Sequence, residues 1–497
     1  MSNWREKAAL GGRWLGASTL IGAAVSLLQT ALIARFFLAP SDYGLMGIVT
    51  VFTYIAFVFA DMGLGAAIIH RRDATREQLS SVYWLNILSM LACILIACSL
   101  ATPVANLMAE PQVAPLIRAM TLMVFFEALG KPFQMQLERD TRFQMVGLAE
   151  LAGHACALAT ALISAALGAG VWSLVLGQIS RSFTKALFYV PAGIRYYRPL
   201  LRLRRSDLSG FLSFGLFQMG ERIVHVLASR FDFLLIGRFL GMEPLGVYNI
   251  SVQLADVPVT QFAVTMVRTA LPLMSSVQKN RDQLRQAYLK YSGIQMLVIS
   301  PVLFGMMAVA PVAVPLALGQ KWVIAVPIIQ WLSMVSVIRA ADIPRAALVL
   351  AAGRAGLSFY YNLVILIVIA SVVAAAVYWG TIITVVMSLF GAYLCLNVIV
   401  YYIVVRPILG DCYFPYLSRI SHPIIASALM AVALLSLEKS NIIGNELALL
   451  AAQIVIGAGI YIGLMHLWRL DQLRDLASML PRRLTPRYLR PQIAYPA

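Results

Sequence analysis

The chain is short of charge: only 12% of its 497 residues are Asp, Glu, Lys or Arg, and 60% are apolar. A soluble protein of this length needs far more charge to cover its surface, so a water-soluble globular domain is excluded. It is short of cysteine as well. Cys93, Cys98, Cys156 and Cys395 sit inside apolar stretches, Cys412 lies just outside one, and no two form a CxxC or CxxH pair. That spacing supports neither a disulfide framework nor a zinc site, and no metal or other cofactor is expected. Long polar stretches are missing too. The longest, from Arg469 to Ala497, is a basic tail, which leaves no room for the extramembrane catalytic domain that membrane enzymes of glycan assembly usually need. Nor is there a basic domain or clustered aromatic platform for nucleic acid.

What the chain does have is a succession of apolar segments. Candidate spans run over 10–37, 43–69, 80–101, 113–137, 143–167, 170–190, 208–237, 245–275, 287–316, 323–351, 356–378, 381–405, 416–437 and 445–468. Each holds the roughly twenty residues that a bilayer crossing takes. The first is far longer than the apolar core of a signal peptide and lacks a small-residue cleavage pattern, so it reads as a span. The expectation is an all-α polytopic membrane protein of about 14 transmembrane helices.

Lysine and arginine orient it. Of 39 such residues, 27 fall on one alternating set of joints and the adjoining span edges, and four (Arg35, Arg238, Lys321, Lys439) on the other set. The basic side, with both termini, is expected in the cytoplasm of a bacterial cell, the protein being in the inner membrane. The net charge of +17 is mostly this topology signal.

The sequence also repeats itself. Arg35-Phe36 followed by Gly44 is matched by Arg238-Phe239 followed by Gly246. Arg76-Glu77-Gln78-Leu79 is matched by Arg281-Asp282-Gln283-Leu284, Pro103-Val104-Ala105 by Pro311-Val312-Ala313, and Pro132 with Arg142 by Pro344 with Arg354. The offset drifts upward as small loop insertions would make it. An even repeat of six spans puts both halves in the membrane with one orientation, the plan of transporters whose two lobes rock about a shared cavity. The expected parts are a six-helix lobe over 1–190, a basic cytoplasmic linker over 191–207, a second six-helix lobe over 208–405, two additional helices over 406–468 and a basic tail over 469–497.

Several stretches resemble the polysaccharide transporter family of the multidrug/oligosaccharidyl-lipid/polysaccharide exporter superfamily, the Wzx-type flippases. They are Ala34-Arg35…Pro40-x-Asp42-Tyr43-Gly44, Phe59-Ala60-Asp61-x-Gly63-x-Gly65, Asp232-x-x-Leu235-Ile236-Gly237-Arg238-x-Leu240-Gly241…Leu245-Gly246-x-Tyr248…Pro258, and Gly319-x-Lys321-Trp322. The resemblance covers the first twelve spans in order. It implies two six-helix bundles and export of undecaprenyl-pyrophosphate-linked repeat units, in the branch that serves exopolysaccharide. It further implies membrane lipid and the polymerase and export components of such an assembly system as partners.

Charges inside spans are costly and need a partner or a wet cavity. In span 7, Glu221, His225 and Asp232 fall within about 40° of one another on a helical wheel, with Arg222 and Arg230 on other faces. The aligned positions of span 1 are uncharged, so cavity lining is the favoured reading over ionic glue between halves. Arg181 and Lys185 share one face of span 6 and repel unless an anion or an acid sits between them. Glu127 in span 4 aligns with Arg339 in span 10, either as a salt bridge or with each lining its own half. Lys131 stands beside Pro132. Arg222, Arg230, Arg181, Lys185, Arg339 and Lys131 are therefore candidate substrate-binding cations. Asp61, Glu127, Glu221, Asp232, Asp256 and Asp342 are candidates for ion coupling or gating, and Pro132, Pro258 and Pro344 for hinges. The competing functions are a multidrug or cation antiporter, which would want an acidic cavity, and a membrane glycan polymerase or ligase, which would want a long outer loop.

Overall fold

The computed structural model describes residues 2–61, 75–140, 142–196, 198–208, 211–354, 356–440, 442–468, 471–473 and 475, without the side chains of 2–13, 15, 61, 196, 205, 211–218, 261, 264, 265 and 268. Long helices account for nearly all of it: α1 (Ser2–Phe36), α2 (Pro40–Asp61), α3 (Arg76–Met108), α4 (Val113–Arg139), α5 (Phe143–Ala166), α6 (Trp172–Tyr196), α7 (Phe211–Phe239), α8 (Met242–Ser276) and α9 (Arg281–Leu318). They continue as α10 (Ala325–Ala341), α11 (Ile343–Ala351), α12 (Gly356–Val377), α13 (Ile382–Leu409), α14 (Tyr413–Lys439) and α15 (Glu446–Trp468). Each of the fourteen sequence windows holds a helix, the tenth holding two. Ten helices are long and apolar enough to cross a membrane among the described residues. The other four windows hold α6, α7, α8 and the pair α10–α11, of which α10 has 17 residues. The protein is an all-α, multi-pass membrane protein.

The repeated motifs turn out to be recurring pieces of helix chemistry. Arg76 and Arg281 open α3 and α9, each behind a capping residue: Thr75 Oγ1 accepts from Gln78 N while Gln78 Oε1 accepts from Thr75 N, and Asn280 Oδ1 accepts from Asp282 N and Gln283 N. Such caps satisfy amides that the first turn leaves free. Arg35 and Arg238 close α1 and α7, each lying over the phenylalanine that follows it, at 5.6 and 5.9 Å from the ring centroid. Gly44 and Gly246 make a reciprocal contact. A Cβ on Gly44 would collide with the carbonyl of Met242, and one on Gly246 with the carbonyl of Pro40. Small residues let two helix starts touch backbone to backbone.

The described chain falls into two compact units, Met1–Asn249 and Ile250–Ala497. In the first, α6 packs on α5 and α4, α1 on α5, and α2 on α3, α4 and α7. Helix α7 repeats α1 in sequence, yet it leans on α2 where α1 leans on α5. In the second, α9 is the central post. It meets α10, α14 and α15, with α12 and α13 packed together and α13 on α10. The two helices beyond the repeat are fixed to it by polar contacts: Ser427 Oγ lies 2.9 Å from Ser300 Oγ, and the Tyr461 hydroxyl donates to the Leu297 carbonyl at 2.7 Å.

Candidate functional site

The first unit carries four charges inside the span region, brought together by three helices. Lys185 of α6 reaches Glu127 of α4 at 3.0 Å and Glu150 of α5 at 2.9 Å. Arg181, one turn away, places Nη2 3.2 Å from the second oxygen of Glu150, and Ser182 Oγ donates to Glu127 at 3.1 Å. Gly153 makes room for this, because a Cβ there would stand 3.1 Å from Lys185 Cγ and 3.3 Å from Arg181 Cγ. Of the two alternatives, an anion or an acid between Arg181 and Lys185, the structure supplies an acid of the protein itself, Glu150. The i, i+4 pair Glu150 and His154 was the available signal for it. His154 contacts Ser26 Oγ at 3.0 Å, so it belongs to the contact with α1.

The cluster sums to zero charge, but its two cations differ. Lys185 is buried between both acids, whereas the Arg181 side chain is 31% exposed. A guanidinium has five N–H donors. Glu150 takes one of Arg181's, and its buried Nε–H has no acceptor among the described residues. Lys131 lies outside this cluster, donating to the neutral Gln134 Oε1 at 3.3 Å.

In the second unit Arg339 pairs with Asp256 at 2.9 Å and stands over the Tyr393 ring. Glu127 and Arg339, related by the repeat, each take a partner of opposite sign within their own unit. Next to Arg339 the tenth span breaks: α10 ends at Ala341 and α11 starts at Ile343. Asp342 at the break holds Arg345 through two contacts of 2.7 and 2.8 Å and accepts from the Tyr361 hydroxyl at 2.7 Å. Arg345 also stacks on Tyr361, 3.6 Å from the ring centroid. Arg345 counted as a joint residue by charge alone, but it is buried here. Its i, i+3 spacing from Asp342 was the clue. Pro344 stands at this break, whereas α4 and α8 run through Pro132 and Pro258.

Helix α7 holds the remaining candidates. Asp232 is buried and accepts from the Tyr248 hydroxyl of α8 and from the Phe233 amide. Tyr248, in a quoted motif but unassigned by the sequence, is thus a partner of Asp232. Arg230 lies 4.9 Å from the Phe233 ring centroid. Glu221 and Arg222 are half-buried, and His225 is exposed. Asp61 ends α2, and its side chain lies outside the described residues.

A family profile described as "Polysaccharide biosynthesis protein" matches residues 32–327, more than half of the chain. The chain belongs to this polysaccharide biosynthesis family. It is similar to the teichuronic acid biosynthesis protein TuaB of Bacillus subtilis (strain 168), 28% identical over 375 residues, covering 76% of this chain and 77% of that one. It is also similar to the lipopolysaccharide biosynthesis protein WzxC of Escherichia coli (strain K12), 25% identical over 414 residues, covering 83% and 84%. Among solved structures, the fold matches the lipid II flippase MurJ in an inward closed conformation. The TM-score is 0.73 at 12% identity, over 92% of this chain and 99% of that one. The resemblance read from the motifs around Pro40–Gly44 and Asp232–Pro258 therefore holds, and this family member shares the fold of MurJ.

Proposed function

We propose that the protein is a flippase. It moves a polyprenyl-pyrophosphate-linked oligosaccharide from the cytoplasmic to the periplasmic leaflet for assembly of an exopolysaccharide or related surface polymer. Family membership, the names of the relatives and the MurJ-like fold support this reading. The observation that carries it is Arg181, a guanidinium inside the span region, anchored by one acid and holding an unused buried donor. A cation fixed in this way is pre-oriented, and its free donors can replace hydration around a phosphate. Arg339, anchored by Asp256 and 36% exposed at its side chain, plays the matching part in the second half. Arg222 and Arg230 of α7, with Lys131, are the further cations of this reading.

The pyrophosphate-sugar head passes along these cations while the polyprenyl tail stays in lipid, and alternating access moves the opening to the other face. Asp342 and Pro344, at the interrupted span, are the hinge. An anion leaving the cytoplasm is helped by an inside-negative potential, by about 2.3 kcal/mol per charge per 100 mV, so obligate ion antiport is not required. The reading makes the protein a carrier that forms no bond, working beside the polymerase and export components of its system. Deletion of the gene should trap complete lipid-linked repeat units on the inner leaflet. Wild-type protein should release them, and Arg181→Ala or Arg222→Ala, inserted at normal level, should not. Incomplete repeat units in the deletion strain, or normal polymer from both variants, would refute it. Unchanged drug sensitivity of the same strain separates it from a multidrug exporter.

A further inference from the structure

The first unit has an exposed apolar cleft, walled by Phe52 and Phe59 of α2, Ile96, Ala97 and Leu100 of α3, and Ile117 of α4, with a volume of about 160 Å³. Phe59, Ile96 and Leu100 are exposed there on helices apolar enough to cross the bilayer. An apolar cavity of about 150 Å³ stays dry and accepts benzene, so hydrocarbon is the filling that this cleft takes. Along α3 it runs from Cys93 to Val104. At 1.5 Å per residue that is about 16 Å, close to the hydrocarbon depth of a single leaflet.

A cation stands near one end of the cleft. Arg118 follows Ile117, is exposed, and donates to Thr102 Oγ1 at 2.7 Å, which ties α4 to α3 beside Ala101 and Val104. Thr102 is neutral, and among the described residues no carboxylate pairs with Arg118. Arg118 lies little more than one turn from the start of α4, on the side whose joints hold only four of the 39 basic residues. A long cationic side chain so placed extends to the headgroup level. An isolated cation above a one-leaflet apolar cleft is complementary to one kind of molecule, a lipid with an anionic head.

We propose that the cleft binds one anionic glycerophospholipid, its acyl chain between α2 and α3 and its phosphate on Arg118. The site stands whether or not the transport reading holds. A much longer polyprenyl chain would overrun a cleft of this length.

The test uses the full chain in nanodiscs of phosphatidylcholine, with a trace of phosphatidylglycerol carrying a photoreactive group on its acyl chain. Cross-links mapped by mass spectrometry should fall on Ile96, Ala97 and Leu100. Excess phosphatidylglycerol should compete about fivefold better than phosphatidylcholine, the factor that one cation contributes toward an anionic lipid. Arg118→Gln should bring the two lipids level, and Ala97→Phe should abolish these cross-links. Arg118→Gln alters a side chain at the helix surface, so it keeps the test decisive even if Ala97→Phe folds poorly. Equal competition by both lipids in the wild type, unchanged selectivity in Arg118→Gln, or stronger competition by undecaprenyl phosphate would each overturn the proposal.

Discussion

Lys185 and Arg181 stand one helical turn apart and share Glu150, yet their environments differ. Lys185 is enclosed by two carboxylates. Removing one partner from a buried ionic group leaves uncompensated charge and costs about 3–5 kcal/mol. Lys185→Met should therefore lower the melting temperature of the purified protein clearly, and adding Glu127→Gln should restore part of the loss. A variant that melts like wild type would show that the acids are neutralised in some other way. Arg181 makes one contact to Glu150 and keeps an exposed edge, so Arg181→Ala should cost transport while moving the melting temperature much less. That contrast separates a structural cation from a binding one within a single cluster.

At the scale of elements, the joint after α6 is secured to the helix that opens with the repeated arginine. Arg76 donates from Nε and Nη2 to the Arg198 carbonyl, at 3.3 and 3.0 Å, and the Trp84 indole donates to the Leu200 carbonyl at 2.8 Å. In the second half the Arg281 guanidinium lies against Gly410, whose φ of +81° favours glycine. Asp207 completes the first strap. It accepts from the Arg202 guanidinium and from Ser81 Oγ, and those hydrogen bonds, the Arg202 ones foremost, hold its carboxyl below the usual carboxylate range. A group whose folded pKa is depressed stabilises above its ordinary value, and the contribution is lost as pH falls through the depressed one. Amide exchange over 198–208, corrected for the intrinsic pH effect, should thus stay protected down to about pH 4 and lose protection below it. Asp207→Asn should loosen the strap at every pH, and protection that ignores both changes would remove Asp207 from it. The contact between the starts of α2 and α8 has the opposite character, being steric. Gly246→Ala drives a methyl into the Pro40 carbonyl, and overpacking of this kind costs about 1–3 kcal/mol. Reduced insertion or a lower melting temperature is expected; wild-type behaviour would mean that the two helix starts can part freely.

Over the whole molecule, the distribution of basic residues and the helix boundaries make one joint prediction. Reporter fusions after residues 110 and 200 should report opposite faces, with the second on the side of both termini. A fusion at 200 that reports the periplasm would invert the topology and with it the direction of transport. The alternation of joints follows because one extra or missing helix would exchange the basic and non-basic sides from that point onward. The two extra helices are part of the second unit's packing and not a loose appendage. Arg419 of α14 and Lys290 of α9 both reach Asp475, at 3.6 and 3.0 Å.

The sequence alone determined the membrane class, the fourteen windows that hold helices, the repeat and the family. Each rests on properties summed over many residues (hydropathy, charge asymmetry, recurring caps and glycines) that survive without knowing who touches whom. It also located most residues of the charged clusters, since charge in an apolar span is conspicuous. Only the tertiary structure decided the pairings: Lys185 with two acids, Arg339 with Asp256, Asp232 with Tyr248, and Arg345 with Asp342 inside the protein instead of at its rim. A helical wheel gives the face of a residue but not the neighbour that the face meets. Helix α7 shows the reason, since it repeats α1 in sequence yet packs against a different helix.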